Sequence, residues 1–163
     1  MNPPTPSSTT ASTDAVRQAL AQHMQEPGAL LPVLHAVQDA LGHVPADAVP
    51  AIAEALNLSR AEVHGVITYY HFFRNAPPGR HVLQVCRAEA CQSCGAEELL
   101  AHAERTLGCE RHHTRADGAL TLEPVYCLGL CASSPAMQVD GRLQGRATPA
   151  QLDALAASLG EPA

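Results

Sequence analysis

Six cysteines fall into three groups along this chain: Cys86, Cys91 and Cys94 in VCRAEACQSCGAEELL, Cys109 alone in LGCERHHT, and Cys127 and Cys131 in YCLGLCASSPAM. The first group has C-x4-C-x2-C spacing, the opening of the plant-type ferredoxin pattern, which needs one further cysteine. Its last two members also form a C-x-x-C pair of the kind used by thiol–disulfide enzymes. The last group adds a C-x3-C pair. Thiolates grouped in this way suit an iron–sulfur cluster, a zinc ion or a redox-active disulfide. Their ligand-like clustering argues against six inert buried thiols.

The elements around the cysteines decide which of them can meet. HVLQVC reads as a strand ending at Cys86, and ALTLEPVYC as a second strand ending at Cys127. Between them GAEELLAHAERTL reads as a helix with Leu99, Ala103 and Leu107 inward and Gly108 closing it. If residues 80–86 and 119–126 are parallel strands joined by that helix, the connection is a right-handed crossover. Both strands then end at one sheet edge, where open α/β sheets hold their ligands. The loops 86–94 and 127–131 face each other there, and Cys109, following the helix, sits at the opposite edge. A C-x4-C loop opposite a C-x3-C loop fits two irons, and zinc loops also accept such spacing. Gly95 and Gly129 would let backbone N–H groups approach the sulfurs, the helix starting near Gly95 would aim its N-terminus at them, and Arg87 would add positive charge.

Beyond the second strand, AMQVDGRLQGR reads as a hairpin turning at Asp140-Gly141, and TPAQLDALAASL as a helix with Thr148 as N-cap and Pro149 at its first position. Pro124 either breaks the second strand or marks it as an edge. Ahead of the strands, residues 14–75 read as a short-looped helical unit. Asp14 is a candidate N-cap, with Val16, Leu20 and Met24 on one face; Leu30, Leu34, Val37 and Leu41 share the next, stopped by Gly42 and Pro45. Val49, Ile52 and Leu56 share a third face, and Ser59 with Glu62 forms a capping box for the fourth helix. Tyr69, Tyr70, Phe72 and Phe73 gather at the end of this unit, and NAPPGR (75–80) is a linker by composition. The expected organisation is a disordered Pro/Ser/Thr-rich tail over 1–13, the helical region over 14–75, and an α/β domain of order β-α-β, then β-β-α, over 80–160.

Composition removes several function classes. The 163 residues are 46% apolar, enough for a real core, and the formal net charge is -6. Every one of the ten cations is Arg, with no basic cluster, which disfavours nucleic-acid binding. The start, MNPPTPSSTTAST, lacks the basic and apolar regions of a signal peptide, and no apolar run approaches the ~18 residues of a membrane span. Six cysteines without an export signal point to metal or redox chemistry in a reducing compartment, the cytoplasm. There is no phosphate loop and no nucleophile–base arrangement, and His112 and His113 beside Cys109 read as a solvated loop.

The segments LLPVLHAVQDALGHVP, LNLSRAEVHGVITYYHFF, VCRAEAC and CLGLCASSPAMQVDGR together resemble the small thioredoxin-like [2Fe–2S] subunit family of NADH:quinone oxidoreductase, which has relatives in soluble NAD-linked formate dehydrogenases and NAD-reducing hydrogenases. The resemblance spans roughly residues 14–158, and CRAEACQS is most similar to the gamma subunit of the formate dehydrogenases. It implies a helical N-terminal region followed by a thioredoxin-like domain. It also implies one [2Fe–2S] cluster held by Cys86, Cys91, Cys127 and Cys131, with Cys94 as a position that need not be cysteine. The implied partners are a flavoprotein subunit carrying FMN and the NAD site and, in a formate dehydrogenase, a larger molybdenum subunit. The implied function is electron exchange with that flavin, with no substrate turnover by this subunit alone.

Three other readings keep a claim on the residues. A freestanding plant-type ferredoxin would use Cys86, Cys91, Cys94 and Cys127, leaving Cys131 and the helical unit unexplained. A thiol oxidoreductase would use Cys91 and Cys94 and leave the Cys127–Cys131 pair without a task. Structural zinc would take the same four thiolates as the cluster.

Overall fold

The computed structural model describes residues 8–159, and the chain divides into two compact units, Met1–Pro77 and Pro78–Ala163, with the division inside NAPPGR.

The first unit holds four helices: α1 (Ser8–His23), α2 (Leu30–Leu41), α3 (Ala48–Ala55) and α4 (Arg60–Tyr69). Residues 1–7 of the expected tail lie outside the described residues, and α1 begins at Ser8 rather than at Asp14. Ser and Thr cost a helix only tenths of a kcal/mol each, about 0.5 relative to Ala, and packing of the following turns offsets this. Val16 and Ala19 are buried, and the buried Ser12 hydroxyl donates to Asp47 Oδ1 at 3.4 Å. Met24 lies beyond the end of α1 and is exposed, so the expected Val16–Leu20–Met24 stripe stops at Leu20. The core of this unit is Val33, Leu34 and Val37 of α2 against Ile52, Val63, Ile67 and Phe73.

Two local signals act as expected from their types. Gly42 ends α2 at φ +78°, a conformation that disfavours a Cβ. Ser59 caps α4 reciprocally: its hydroxyl accepts from the Glu62 N–H at 3.1 Å, and Glu62 Oε2 accepts from the Ser59 N–H at 2.8 Å. Buried Gln38 does more than fill a helical position. Its Nε2 donates to the Phe72 carbonyl at 2.8 Å and its Oε1 accepts from the Arg74 N–H at 2.7 Å, which pins the chain after α4 to α2. His35 stacks beside Phe72 and Phe73, with ring centroids 4.8 and 5.1 Å away.

The second unit is built on a five-stranded sheet. Its elements are β1 (His81–Cys86), α5 (Glu89–Ser93), α6 (Ala96–Leu107), β2 (His113–Thr114), β3 (Leu120–Val125), a 3-10 turn (Cys131–Ser133), β4 (Ala136–Val139), β5 (Arg142–Gly145) and α7 (Pro149–Leu159). The strand order is β2-β3-β1-β4-β5. β1 and β3 are parallel, with Cys86 level with Val125, while β4 runs antiparallel to β1 and β5 to β4. This is a mixed α/β thioredoxin-like arrangement. Leu83, Val85, Leu122 and Met137 project into one core with Leu99, Leu100, Ala103 and Leu107 of α6 and Leu152 of α7. Position 160, the end expected for this domain, lies outside the described residues.

Local chemistry explains most of these boundaries. Asp140 and Gly141 both take positive φ, +49° and +81°, as a tight two-residue hairpin turn demands. Thr148 and Gln151 form a reciprocal cap for α7, with the Gln151 N–H on Thr148 Oγ1 at 3.4 Å and the Thr148 N–H on Gln151 Oε1 at 2.9 Å. Pro124 does not break β3: β2 pairs with Thr121 and Leu122 only, so Pro124 lies where that side of the strand is no longer paired and needs no N–H there. The strand β2 includes His113, where a solvated loop is expected. It has two residues, too few to show a period, and its existence depends on the edge that β3 offers.

An ion pair fastens the end of α6. Arg111 Nε donates to Glu104 Oε1 and Nη2 to Oε2, each at 2.8 Å, and this holds the Glu104 carboxyl down to about 2. A carboxyl depressed in the fold contributes stability that is present above its ordinary value near 4.5 and is lost as pH falls through the folded value. Thermal unfolding followed from pH 6 to pH 2 is therefore expected to show a steeper acid loss for the wild type than for Glu104→Gln, the two curves approaching each other at the acid end. Parallel curves would show that the pair contributes nothing.

Candidate metal centre

The parallel pair β1/β3 delivers Cys86 and Cys127 to the same edge of the sheet. Cys86 is the last residue of β1 and is 2% exposed. Cys91, also 2% exposed, lies on α5, a single helical turn where a plain loop is expected over 86–94. That turn brings Cys91 back beside Cys86. The two thiols share a small apolar cluster with Ala96 and Ala136, edged by Ala88, Val125, Leu128 and Leu130.

The second loop closes over this pair. Ala136 is buried in the same cluster as Cys86 and Cys91, and Leu128 and Leu130 pack against it. Ser134 Oγ lies 3.5 Å from Cys91 Sγ. Cys127 and Cys131, on this second loop, are both exposed. Cys127 has φ +149°, a region that is nearly glycine's alone and costs of order 1–3 kcal/mol. Gly129 follows at φ +76° and turns its N–H onto Cys127 Sγ at 3.3 Å. Beyond its chain neighbours nothing stands within 4 Å of where a Cβ would be at Gly129, so what requires a glycine there is the positive φ that turns its N–H onto the sulfur.

The sulfur electrostatics follow from these contacts. Burial pushes the Cys86 thiol up from its ordinary value, only partly offset by the Ala88 and Leu128 N–H groups. Burial acts on Cys91 in the same sense, but hydrogen bonds from Ser134, from the Cys86 thiol and from the Ala136 N–H outweigh it and bring Cys91 down.

One expectation about charge is corrected. Arg87 does not offer free positive charge: its Nε donates to Glu97 Oε1 at 2.6 Å. The two residues are ten positions apart, outside any regular helical spacing, and it is the turn of α5 that folds them together. The start of α6 does lie at this edge: Ala96, its first residue, packs in one buried cluster with Cys86 and Cys91.

The remaining cysteines stand apart. Cys94 ends α5, is exposed, and lines a separate cleft with Glu98, Leu99, His102 and Arg105 that includes none of the other cysteines. Cys109 is buried in the core beneath the sheet, its thiol donating to the His113 carbonyl at 3.2 Å, and burial pushes it up. Among the described residues no three His, Cys, Asp or Glu side chains converge on one point that a single ion could occupy. The cysteines come instead as two pairs, one buried and one exposed. A two-iron core needs two thiolates at each iron, so this donor set of four free thiols fits a [2Fe–2S] cluster.

Comparison with known proteins agrees with this geometry. The family profile of the thioredoxin-like [2Fe-2S] ferredoxins matches residues 16–160. A subunit of the NADH-quinone oxidoreductase of Rhizobium meliloti (strain 1021) is 38% identical over 142 residues, covering 87% of this chain and 84% of its own length. The NADP-reducing hydrogenase subunit HndA of Solidesulfovibrio fructosivorans is 30% identical over 128 residues, covering 78% of this chain and 75% of its own. Among solved structures, the air-oxidised NAD+-reducing [NiFe]-hydrogenase superposes with a TM-score of 0.67 at 27% identity over 85% of this chain, which spans 24% of that hydrogenase chain. Among the described residues no helix is long and apolar enough to cross a membrane. With a matching profile over nearly its whole length, the chain belongs to the thioredoxin-like [2Fe–2S] ferredoxin family, and its cofactor is a [2Fe–2S] cluster.

Proposed function

We propose that this chain is the [2Fe–2S] electron-transfer subunit of an NAD(H)-linked oxidoreductase, with Cys86, Cys91, Cys127 and Cys131 as the ligands of the cluster. The cluster supplies one-electron oxidation and reduction when bound. The observation that carries the ligand assignment is the packing of the second cysteine loop against the first: Leu128, Leu130 and Ala136 cluster with Cys86 and Cys91, and Ser134 Oγ lies 3.5 Å from Cys91 Sγ. The Gly129 N–H on Cys127 Sγ places a positive dipole end against that sulfur and favours added negative charge there. Burial of Cys86 and Cys91 excludes water from one side, while exposure of Cys127 and Cys131 leaves the other side open to a partner.

The partner in this reading is a flavoprotein subunit carrying FMN and the NAD site, and the location is the cytoplasm, where NAD(H) is available. A direct test mixes the holoprotein with NADH under anaerobic conditions. NADH alone is expected to leave its visible band oxidised, and NADH with the flavoprotein subunit is expected to bleach it. Rapid bleaching by NADH alone would overturn the assignment.

The larger complex in this reading is an NAD-dependent formate dehydrogenase, on the likeness of CRAEACQS to the gamma subunits of those enzymes. A second reading, the equivalent subunit of NADH:quinone oxidoreductase, is favoured by the 38% identity to the Rhizobium meliloti protein. Tagging the chain in its own cells separates the two. A molybdenum-containing subunit that oxidises formate should co-purify in the first case, and quinone-reducing membrane subunits in the second.

A further inference from the structure

Ser134 touches both halves of the centre. Its Oγ lies 3.5 Å from Cys91 Sγ on the first cysteine loop and 2.9 Å from the carbonyl oxygen of Cys131 on the second. It is one residue beyond the 3-10 turn that Cys131 opens and two residues before Ala136, which is buried in the same cluster as Cys91. The Gly129 N–H on Cys127 Sγ is a backbone donor, whose direction the chain path sets. Ser134 is a side-chain donor, and its single proton can turn.

That single proton forces a choice. A hydroxyl donates once and accepts twice. While Cys91 is protonated both contacts are satisfied together: the Cys91 thiol donates to Ser134 Oγ, and the Ser134 hydroxyl donates to the Cys131 carbonyl. A thiolate bound to iron has no proton to give. The hydroxyl must then either keep its proton on Cys131, turning an oxygen lone pair towards an anionic sulfur, or rotate and donate to Cys91 Sγ. The second arrangement is a charge-assisted hydrogen bond, about twice as strong as a neutral one, and the Cys131 carbonyl it releases lies on an exposed residue where water replaces the lost bond.

We propose that Ser134 is a positioning residue that sets the reduction potential of the centre, donating its hydroxyl proton to the Cys91 sulfur when the thiolate is a ligand and to the Cys131 carbonyl when it is not. A donor on a ligand sulfur stabilises the reduced, more negative state and raises the potential. The inference rests on Cys91 being a ligand.

Threonine and valine have nearly the same shape, so Ser134→Thr and Ser134→Val in the reconstituted holoprotein isolate the hydroxyl from any effect of the added methyl. Ser134→Val is expected to disfavour reduction by about tenfold, a shift of about 59 mV to more negative potential for a one-electron couple, with Ser134→Thr returning most of it. Ser134→Ala, which adds no bulk, should move the potential in the same direction. The readout is a spectroelectrochemical titration of the visible band at matched iron and sulfide content. A Ser134→Val potential equal to that of Ser134→Thr, or a Ser134→Ala potential equal to wild type, overturns the proposal. Cys91→Ala distinguishes the two levels. If it retains an unaltered cluster, the ligand assignment itself fails; if it loses the cluster while the Ser134 variants do not differ, only the role of Ser134 fails.

Discussion

Cys131→Ser is expected to lose most of its [2Fe–2S] cluster or to hold a visibly altered one, while Cys94→Ser keeps a wild-type spectrum. The contrast is the largest effect expected of any pair of single substitutions here, because both cysteines are exposed and similarly reactive by burial alone. What separates them is place. Cys131 opens the 3-10 turn on the loop that packs against Cys86 and Cys91 and whose Ser134 Oγ lies 3.5 Å from Cys91 Sγ. Cys94 ends α5 facing a cleft lined by Glu98, His102 and Arg105. Visible absorbance, the EPR spectrum of the reduced protein and iron and acid-labile sulfide content measure the outcome together. The opposite result, loss in Cys94→Ser and retention in Cys131→Ser, would fit plant-type ligation by Cys86, Cys91, Cys94 and Cys127 and would sink the two-pair centre.

Leu83→Ala is expected to destabilise the second unit by about 3 kcal/mol, within the range for truncating a fully buried leucine. Leu83 is 0% exposed at the middle of β1, paired with Leu122 on one side and Val139 on the other. No shift of these neighbours fills the space without breaking a strand pairing, so the cavity persists. For a unit of this size the loss corresponds to a fall in Tm of roughly 12–24 °C. Because β1 also delivers Cys86, the cluster's visible band and the far-UV circular dichroism should vanish together at the lowered temperature, since a group bound only by the folded state is released with it. A visible band that survived well beyond loss of the β-sheet signal would show that the cysteines hold the cluster without the sheet.

Some of this structure is legible in the sequence because its causes are local. Asp140-Gly141, the Ser59–Glu62 and Thr148–Gln151 caps and the glycines closing α2 and α6 each act within four residues, so residue type alone reports them. Long apolar periods mark α6 and the two central strands. Their parallel pairing follows from the connection between them, and with it the exclusion of Cys109 from the edge that holds the other cysteines. Shorter or weaker signals mislead. The two residues of β2 carry no period, the helical turn of α5 is shorter than the window in which a helix declares itself, and the start of α1 lies in a Ser/Thr-rich run that packing carries into the helix.

By itself, then, the sequence determined which chemistry was available: two strands ending in cysteine pairs, joined by a helix long enough to make them neighbours, with spacing suited to two irons. Only the tertiary structure decided how that chemistry is surrounded. Cys91 and Ser134 are 43 residues apart, and no local rule links them. Gln38 and Phe72, 34 residues apart, are tied by a hydrogen bond that nothing in either segment announces. The burial of Cys86 and Cys91 against the exposure of Cys127 and Cys131 likewise arises from which apolar side chains the folded loops bring over them. Ligand identity is a property of residue type and order along the chain. The hydrogen bonds and water exclusion that set a potential are properties of atoms meeting across the fold.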